Sequence, residues 1–285
     1  EEIKIPAGVE ELEEGWCDNT KFLTKLTIDP ANKSFKFVDK DQKLLVGKSD
    51  SSEPPFDVLV FVSRDVEKVG IPSTIKFIGP YCFSGCQRLK TVECESKSSL
   101  LSIGNGAFYE STIETLSIPS TLSEFKEGWC DATPCFKNLL ISPESEFFTY
   151  LDNEKKIVLG KSQPGINAFD VIVLVSREIE SIKIPANIHF IGPGCFSGCN
   201  RLQKVEFDAN SELLSIDKCA FYQSSISQLE IPKLVKIIGP LAFAKCDQLK
   251  TVTFPKDSEL LSIGQYSFYN SSIESITIPI HLKKI

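Results

Sequence analysis

Short apolar segments recur along the chain at a nearly constant interval. Each follows the pattern apolar, two variable positions, apolar, one variable position, apolar, as in Ile113, Leu116 and Ile118. The alternation predicts a β-strand whose apolar side chains enter a core while the intervening ones face solvent. The middle apolar position is held by Ile3, Leu26, Val69, Val92, Leu116, Leu139, Ile182, Val205, Leu229, Val252 and Ile276.

The spacing of these middle positions predicts the architecture. Successive positions lie 23 or 24 residues apart, except for two steps of 43 that each contain a degenerate unit. A period of this length is typical of leucine-rich repeats, in which each unit forms one coil of a solenoid. We therefore predict a right-handed leucine-rich-repeat solenoid of about 13 coils, mainly β with short helical or 3-10 turns.

The segment after each strand also repeats. A proline usually ends the strand, since it cannot donate to a β-ladder. An apolar pair and a glycine follow, and the glycine predicts a positive φ before a short helical turn with a core phenylalanine. The glycines are Gly79, Gly104, Gly192, Gly239 and Gly264, and the phenylalanines are Phe83, Phe108, Phe196, Phe221, Phe243 and Phe268.

Each of the two long steps contains a different element. Residues 35–46 and 147–159 both consist of two apolar segments around a polar turn. This pattern predicts two β-hairpins that protrude from a coil or replace part of one. A linker with Ser and Pro follows each hairpin, at residues 49–55 and 162–165, and we expect both linkers to form exposed loops.

A larger duplication overlies the coils. Residues 61–93 recur as 174–206, a shift of 113 residues. We expect all 285 residues to form one solenoid, built from duplicated blocks at about 3–115 and 116–228 and from further repeats at 229–285. Because the sequence has no Met and neither end resembles a polar cap, we expect a window of a longer array.

The repeat unit carries the motif Ile-Pro, five variable residues, Ile-Gly, two variable residues, then Ala or Cys followed by Phe. With this motif the chain resembles the BspA-like leucine-rich-repeat family from Ile3 to Ile285. The segments Glu14–Cys17 and Glu127–Cys130, together with the Gly-Lys hairpins, resemble its trichomonad branch most. The resemblance implies a surface antigen that adheres to host cells or matrix and has no shared catalytic residues. These Trp-Cys coils depart from the family pattern because they lack the Ala-Phe pair.

Composition narrows the function classes. With 31 Lys and Arg against 38 Asp and Glu, the net charge is −7, which disfavours nucleic acid and anionic membranes as partners. The longest apolar run, Val171–Val175, suits a buried strand and is too short for membrane insertion. The sequence has no glycine-rich phosphate loop, and we expect no cofactor.

Ten cysteines raise the question of disulfides or a metal, and the repeat register argues against both. A structural zinc site needs four N or S ligands, which neighbouring coils do not offer. We expect mostly thiols packed in the core, with Cys130–Cys135 and Cys195–Cys219 as the pairs to check for disulfides. The cysteines in slots that other coils fill with small or apolar residues are Cys82, Cys86, Cys94, Cys195, Cys199 and Cys246.

The two histidines are too far apart to form one site. His189 and His281 lie four coils apart, about 19 Å at the usual strand spacing, and each is expected on a solvated loop. No cysteine is placed to form a nucleophilic pair with either of them. We therefore expect neither catalytic residues nor a metal site, and we expect that the protein is not an enzyme.

The outward strand positions form a mixed face rich in Thr and Ser, without the Asp cluster that glycoside hydrolysis would need. A concave face of this kind is the binding surface of solenoid proteins in general. The candidate binding residues on it are Thr91, Glu93, Thr115, Ser117, Ser181, Lys183, Lys204, Glu206, Gln228, Glu230, Thr251, Thr253, Ser275 and Thr277.

Three tyrosines and two glycosylation sequons also bear on the surface. Tyr109, Tyr222 and Tyr269 follow core phenylalanines, and we expect them to cap the neighbouring coil. The sequons at Asn32 and Asn270 agree with secretion, although the sequon of Asn270 overlaps a buried slot.

The sequence favours a non-enzymatic recognition or adhesion module, at the cell surface or secreted. Its expected partner is a host-cell or matrix protein, or a glycan, bound by the concave strand face and the hairpins. The alternative is a cytoplasmic scaffold or structural repeat protein that mediates protein–protein interaction. The thiols and the missing signal segment fit this alternative equally well.

Overall fold

The computed structural model describes residues 2–50, 55–163, 165 and 167–285. It is a β-solenoid of about 12 turns, close to the predicted 13. The chain divides into two compact units, Glu1–Glu146 and Phe147–Ile285. The described residues include no helix with the length and apolar character of a membrane span.

The first unit consists of strands joined by turns. Its described strands are β1 (Glu2–Ile5), β2 (Lys25–Ile28), β3 (Lys36–Phe37), β4 (Leu44–Gly47), β5 (Val58–Val62), β6 (Lys68–Ile71), β7 (Phe77–Ile78), β8 (Thr91–Cys94), β9 (Ser102–Ile103), β10 (Thr115–Ile118), β11 (Glu124–Phe125) and β12 (Asn138–Ile141).

Four of the strands predicted from the repeat form one sheet in this unit. β6, β8, β10 and β12 are parallel neighbours, and their pairing places Val92 opposite both Val69 and Leu116. β1 and β2 form a separate parallel pair in which Ile3 lies opposite Leu26. The predicted middle positions therefore stack coil on coil, which is what buries the core of a solenoid.

The second unit repeats this plan. Its described strands are β13 (Thr149–Tyr150), β14 (Ile157–Gly160), β15 (Val171–Val175), β16 (Ser181–Ile184), β17 (Phe190–Ile191), β18 (Lys204–Phe207), β19 (Ser215–Ile216), β20 (Gln228–Glu230), β21 (Ile237–Ile238), β22 (Thr251–Thr253), β23 (Ser262–Ile263) and β24 (Ser275–Ile276). β16 pairs with β18, and β20, β22 and β24 form a parallel sheet. The predicted middle positions of this unit lie in these five strands.

Each unit has a second sheet that the repeat pattern does not reveal. The two residues before the glycine slot form a short strand, and these strands pair in parallel from coil to coil. In the first unit the order is β11-β9-β7-β5-β4-β3, and in the second it is β13-β14-β15-β17-β19-β21-β23. Every regular coil therefore contributes one long and one short strand.

The two hairpins belong to this second sheet and replace part of a coil. β4 is antiparallel to both β3 and β5, and β14 is antiparallel to both β13 and β15. All residues of β4 and β14 are buried, and the exposed residues of the two hairpins are the turn residues 40–42 and 153–155 together with Lys36, Val38 and Phe147. The hairpins do not protrude, because a strand with a neighbour on each side pairs its backbone within the sheet. Residues 51–54 and 164 of the predicted linker loops lie outside the described residues.

The glycines that precede the predicted helical turn do not have the predicted positive φ. A Cβ on Gly239 would lie 2.5 Å from the backbone N of Lys218, and one on Gly104 would lie 2.8 Å from the N of Pro80. The cause is the coil-to-coil hydrogen bonding at this slot, where Gly239 N donates to Ile216 O at 2.7 Å. Glycine is needed here for close backbone approach rather than for its left-handed conformation.

Positive φ occurs two residues after the glycine slot, with angles of 53° at Tyr81 and 54° at Gly106. Non-glycine residues such as Leu241 and Tyr266 take the same conformation, at 56° and 58°. A left-handed residue cannot continue a right-handed helix. The predicted helical turns are therefore single hydrogen-bonded turns, such as the one that Ser84 N closes on Tyr81 O at 3.0 Å.

The predicted phenylalanines form continuous stacks in the core. In the second unit Phe196, Phe221, Phe243 and Phe268 lie nearly parallel, with successive centroids 4.6, 5.3 and 5.4 Å apart. In the first unit Phe108 meets Trp129 edge-on at 6.2 Å. In this Trp-Cys coil Trp129 therefore fills the core, while Cys130 occupies the position that phenylalanine holds in the other coils.

A buried arginine in each block was not foreseen from the sequence. Arg64 and Arg177 are 2% and 3% exposed. Arg64 donates from Nη1 to Cys82 O at 2.8 Å and from Nη2 to Cys17 O at 3.2 Å, and Arg177 Nη1 donates to Cys195 O at 2.9 Å. These bonds tie neighbouring coils together, and the carbonyl groups of Cys82, Cys17 and Cys195 also accept backbone bonds from Val62 N, Thr20 N and Val175 N. The repeated Val-Ser-Arg segment was the signal for them.

The phenylalanine stack gives a direct test of the core. Phe221→Ala should lower the free energy of unfolding by about 3–5 kcal/mol, since the ring is fully buried between two others. Phe22→Ala removes a ring that is 77% exposed and should change stability by less than about 0.5 kcal/mol. Chemical denaturation of both variants measures the difference. Equal losses would contradict a core built on the stack.

Candidate functional site

The outward residues of the long strands in the second unit form two aligned rows. Pairing places Ser181 beside Lys204 and, on the next strands, Gln228 beside Thr251. In the second row, on the same strands, Lys183 lies beside Glu206 and Glu230 lies beside Thr253. All of these side chains are exposed, as are those of Ser275 and Thr277.

The corresponding face of the first unit is less open. Thr91, Thr115 and Ser117 are half-buried, and the exposed Glu93 is engaged by Lys68 at 2.8 Å. The candidate set omits Leu140, which occupies an outward position of β12 and is 47% exposed. The same alternation that identified the other positions would have found it.

A groove of about 880 Å³ crosses β18, β20 and β22. Outward side chains of these strands form its floor, and residues 208–212 and 231–234, which follow β18 and β20, line its sides. Six of the candidate residues line this groove: Lys204, Glu206, Gln228, Glu230, Thr251 and Thr253. We call it the unit-2 groove.

Ion pairs occupy most of the charges around this groove. Lys204 contacts Glu206 at 2.9 Å, and Lys233 contacts Asp257 at 2.8 Å. Glu230, by contrast, forms no ion pair with any residue in the described part of the chain. The floor of the groove therefore carries one carboxylate that the protein itself does not neutralise.

His189 is a bridge between two carboxylates rather than a solvated loop residue. Its Nδ1 lies 3.2 Å from Asp170 Oδ2, and its Nε2 lies 3.1 Å from Oε2 of Glu212, which lines the unit-2 groove. The hydrogen bond with Asp170, helped by Glu212, raises the pKa of His189 although partial burial opposes it. The sequence could not show this contact, because the two partners lie 19 and 23 residues away, on the neighbouring coils.

Asp170 in turn closes the linker that follows the second hairpin. It accepts hydrogen bonds from Ser162 N at 2.9 Å and from Ser162 Oγ at 2.7 Å. Burial works against its ionisation, yet the bonds from Ser162 and His189 outweigh burial and lower the pKa of Asp170. In the first unit Asp57 makes the same bonds to Ser49, with Lys76 at 3.3 Å in place of the histidine.

All ten cysteines are thiols, so neither Cys130–Cys135 nor Cys195–Cys219 forms a disulfide. Burial raises the pKa of Cys86 and Cys246 to about 11. Such thiols are protonated at neutral pH and are poor nucleophiles. Among the described residues, no group of three or more His, Cys, Asp or Glu side chains is placed to hold a metal ion, and nothing points to catalysis.

The tyrosines expected as caps and the sequon residue Asn32 differ in how far they are engaged. Tyr109 packs edge-on against Tyr81 of the preceding coil, and Lys245 of the next coil lies over the ring of Tyr222. Tyr269, expected as a cap, is 56% exposed. The side-chain amide of Asn32, the glycosylation site of its sequon, is already engaged. Its Nδ2 donates to Pro6 O at 2.8 Å and to Val9 O at 2.9 Å. That amide fastens the first coil, so its sequon no longer supports secretion.

Comparison with known proteins identifies the repeat. A model of the BspA type leucine rich repeat region matches six copies at residues 59–160 and 174–285, more than half of the chain. No curated protein matches the chain in sequence.

Three solved structures resemble the chain. The pneumococcal vaccine antigen PcpA is 17% identical over 99% of this chain and 73% of its own, with a TM-score of 0.53. A leucine rich cell surface protein from Faecalibacterium prausnitzii is 17% identical over 99% and 78%, with a TM-score of 0.57. A leucine-rich repeat protein from Eubacterium ventriosum is 16% identical over 84% and 87%, with a TM-score of 0.51. At these identities the likeness shows the fold alone.

The His189 bridge predicts a pH dependence of stability. Because its folded pKa is raised, the bridge stabilises fully below the ordinary value of about 6.5 and is lost as pH rises through the folded value. His189→Lys copies the Lys76 arrangement and keeps its charge. Its free energy of unfolding should therefore rise relative to the parent across the pH range that runs from the ordinary histidine pKa of about 6.5 up through the raised folded value. A difference that stays constant across this range in denaturant titrations would contradict the bridge.

Proposed function

This chain belongs to the BspA type leucine-rich-repeat family, and from that premise we propose that it is a non-enzymatic recognition module of a cell-surface protein. Its ligand is a protein on a host cell or in the extracellular matrix. Leucine-rich repeats generally mediate protein–protein interaction, and solenoids offer extended surfaces for it. The proposal concerns which ligand the module binds and where in the cell it acts.

The observation that carries the proposal is the long-strand face of the second unit. Its outward side chains are exposed in aligned rows, and six of them line the unit-2 groove. Strand pairing over the buried core holds the rows in register between β16 and β18 and among β20, β22 and β24. A glycan is a weaker candidate, because the groove lining has no exposed aromatic ring for stacking on a sugar.

Two further proposals concern location and lineage. Two of the structurally similar proteins are a vaccine antigen and a cell surface protein, which supports a surface or secreted location here. Membership of the trichomonad branch rests on the Trp-Cys coils and the Gly-Lys hairpins alone, and the solved relatives are bacterial. That all 285 residues form one array also stays a prediction.

An intracellular scaffold is the second candidate, and the ten reduced thiols favour it. Thiols persist in the reducing cytosol, whereas secreted domains tend to oxidise theirs. Surface biotinylation of the full-length protein in intact cells separates the two locations. Labelling supports the surface module, and labelling only after lysis supports the scaffold.

Bead attachment tests the surface proposal. Beads that carry residues 1–285 should attach to epithelial cells or to matrix-coated surfaces. The double variant Thr251→Arg and Thr253→Arg places bulky charge on the exposed face and should reduce attachment about fivefold or more. The matched variant Gln248→Arg and Gln265→Arg adds the same charge at exposed turn positions and should attach normally. Equal attachment of all three proteins, or none above blank beads, would refute the proposal.

A further inference from the structure

The lining of the unit-2 groove identifies the kind of ligand that fits it. Its volume falls within the range of about 300–1,000 Å³ typical of ligand pockets. Pockets for small molecules are lined mainly by apolar and aromatic side chains. Here the outward strand residues are charged or polar, and the one aromatic lining residue, Phe207, is half-buried and packed against the core. The groove suits an extended polar segment better than a compact apolar molecule.

The charge of the groove is negative. Four acidic residues line it against two lysines, namely Glu206, Asp208, Glu212 and Glu230 against Lys204 and Lys233. Both lysines are engaged by carboxylates, whereas Glu230 has no ion-pair partner among the described residues. A cationic group is therefore the complement that the groove lacks.

The strands beneath Glu230 are also set apart from their counterparts. β18 and β20 share no β-ladder in the second unit, while the equivalent β8 and β10 pair through Thr91 and Thr115. At the position of Glu230 the first block has Ser117, whose hydroxyl accepts a hydrogen bond from Cys94 N at 3.3 Å. The second block instead places two glutamates, Glu206 and Glu230, on neighbouring strands. Lys204 already pairs with Glu206 at 2.9 Å, so Glu230 is the glutamate that a bound cation would neutralise.

We propose that the unit-2 groove binds an extended, lysine- or arginine-bearing segment of a protein partner, and that Glu230 pairs with the cation of that segment. Gln228, Thr251 and Thr253 beside it supply both donors and acceptors for the backbone of the segment. The inference rests on the proposed function and names the chemistry of its ligand.

Peptide binding to the purified chain tests this assignment. The probes are two short fluorescent peptides of alternating residues, one of lysine and serine and one of glutamate and serine. Anisotropy titration should show binding of the lysine peptide that weakens with added salt. Glu230→Ser, which restores the residue of the first block, should weaken it about fivefold. Glu230→Lys should shift the preference toward the glutamate peptide.

The control is Glu274→Ser, which removes the same charge from an exposed position outside the groove lining. It should bind the lysine peptide like the parent, and circular dichroism should show all variants folded. Equal weakening by Glu230→Ser and Glu274→Ser, or no preference for the lysine peptide, would overturn the inference.

The bead assay keeps the two proposals distinguishable. If beads attach to cells and the Glu230→Ser protein attaches equally well, the groove assignment fails and the recognition function stands. If the lysine peptide binds through Glu230 and no cell or matrix surface is recognised, the groove assignment stands and the surface function fails.

Discussion

Backbone hydrogen bonding between successive coils is the interaction on which the rest of the structure depends. It occurs at the long strands, at the short strands and at the turn that carries the core phenylalanine. In that turn Phe221 N donates to Ala242 O at 2.8 Å and Phe243 N to Ser267 O at 2.7 Å. These bonds set the distance between coils. That distance leaves no room for a Cβ at Gly239, it favours small residues such as Ala242, and it brings the phenylalanine rings into stacking contact.

The same constraint leaves the outward strand positions free to differ between the duplicated blocks. Ser117 of the first block corresponds to Glu230 of the second, and Lys76 corresponds to His189. None of these substitutions disturbs the core, since the side chains lie on the exposed or half-buried surface. One fold thus carries two different surfaces, and the second has the more open face. Variation of this kind is what a recognition array requires.

A structural feature can be predicted from the sequence when the residues that determine it are close together along the chain. Strand positions and the phenylalanine stack follow from a fixed period, so every predicted middle residue lies in a strand. The cause of the recurrent glycine slot could not be predicted in the same way, because the atoms that exclude a Cβ at Gly239 come from the preceding coil. The carbonyl partners of Arg64 and the carboxylates around His189 are likewise distant in sequence. Alternation identified the face residues, but the groove depends on the loops beside them.

The unfolding free energy of Gly239→Ala tests the coil-spacing constraint most directly. Its φ is not positive, so the substitution would ordinarily stabilise by about 0.4–1 kcal/mol through the unfolded state. A Cβ that meets backbone atoms of Asp217 and Lys218 should instead cost about 1–3 kcal/mol. Gly70→Ala, where a Cβ meets nothing within 4 Å, is the control and should be neutral or stabilising. Equal or higher stability of the Gly239→Ala protein would contradict the account.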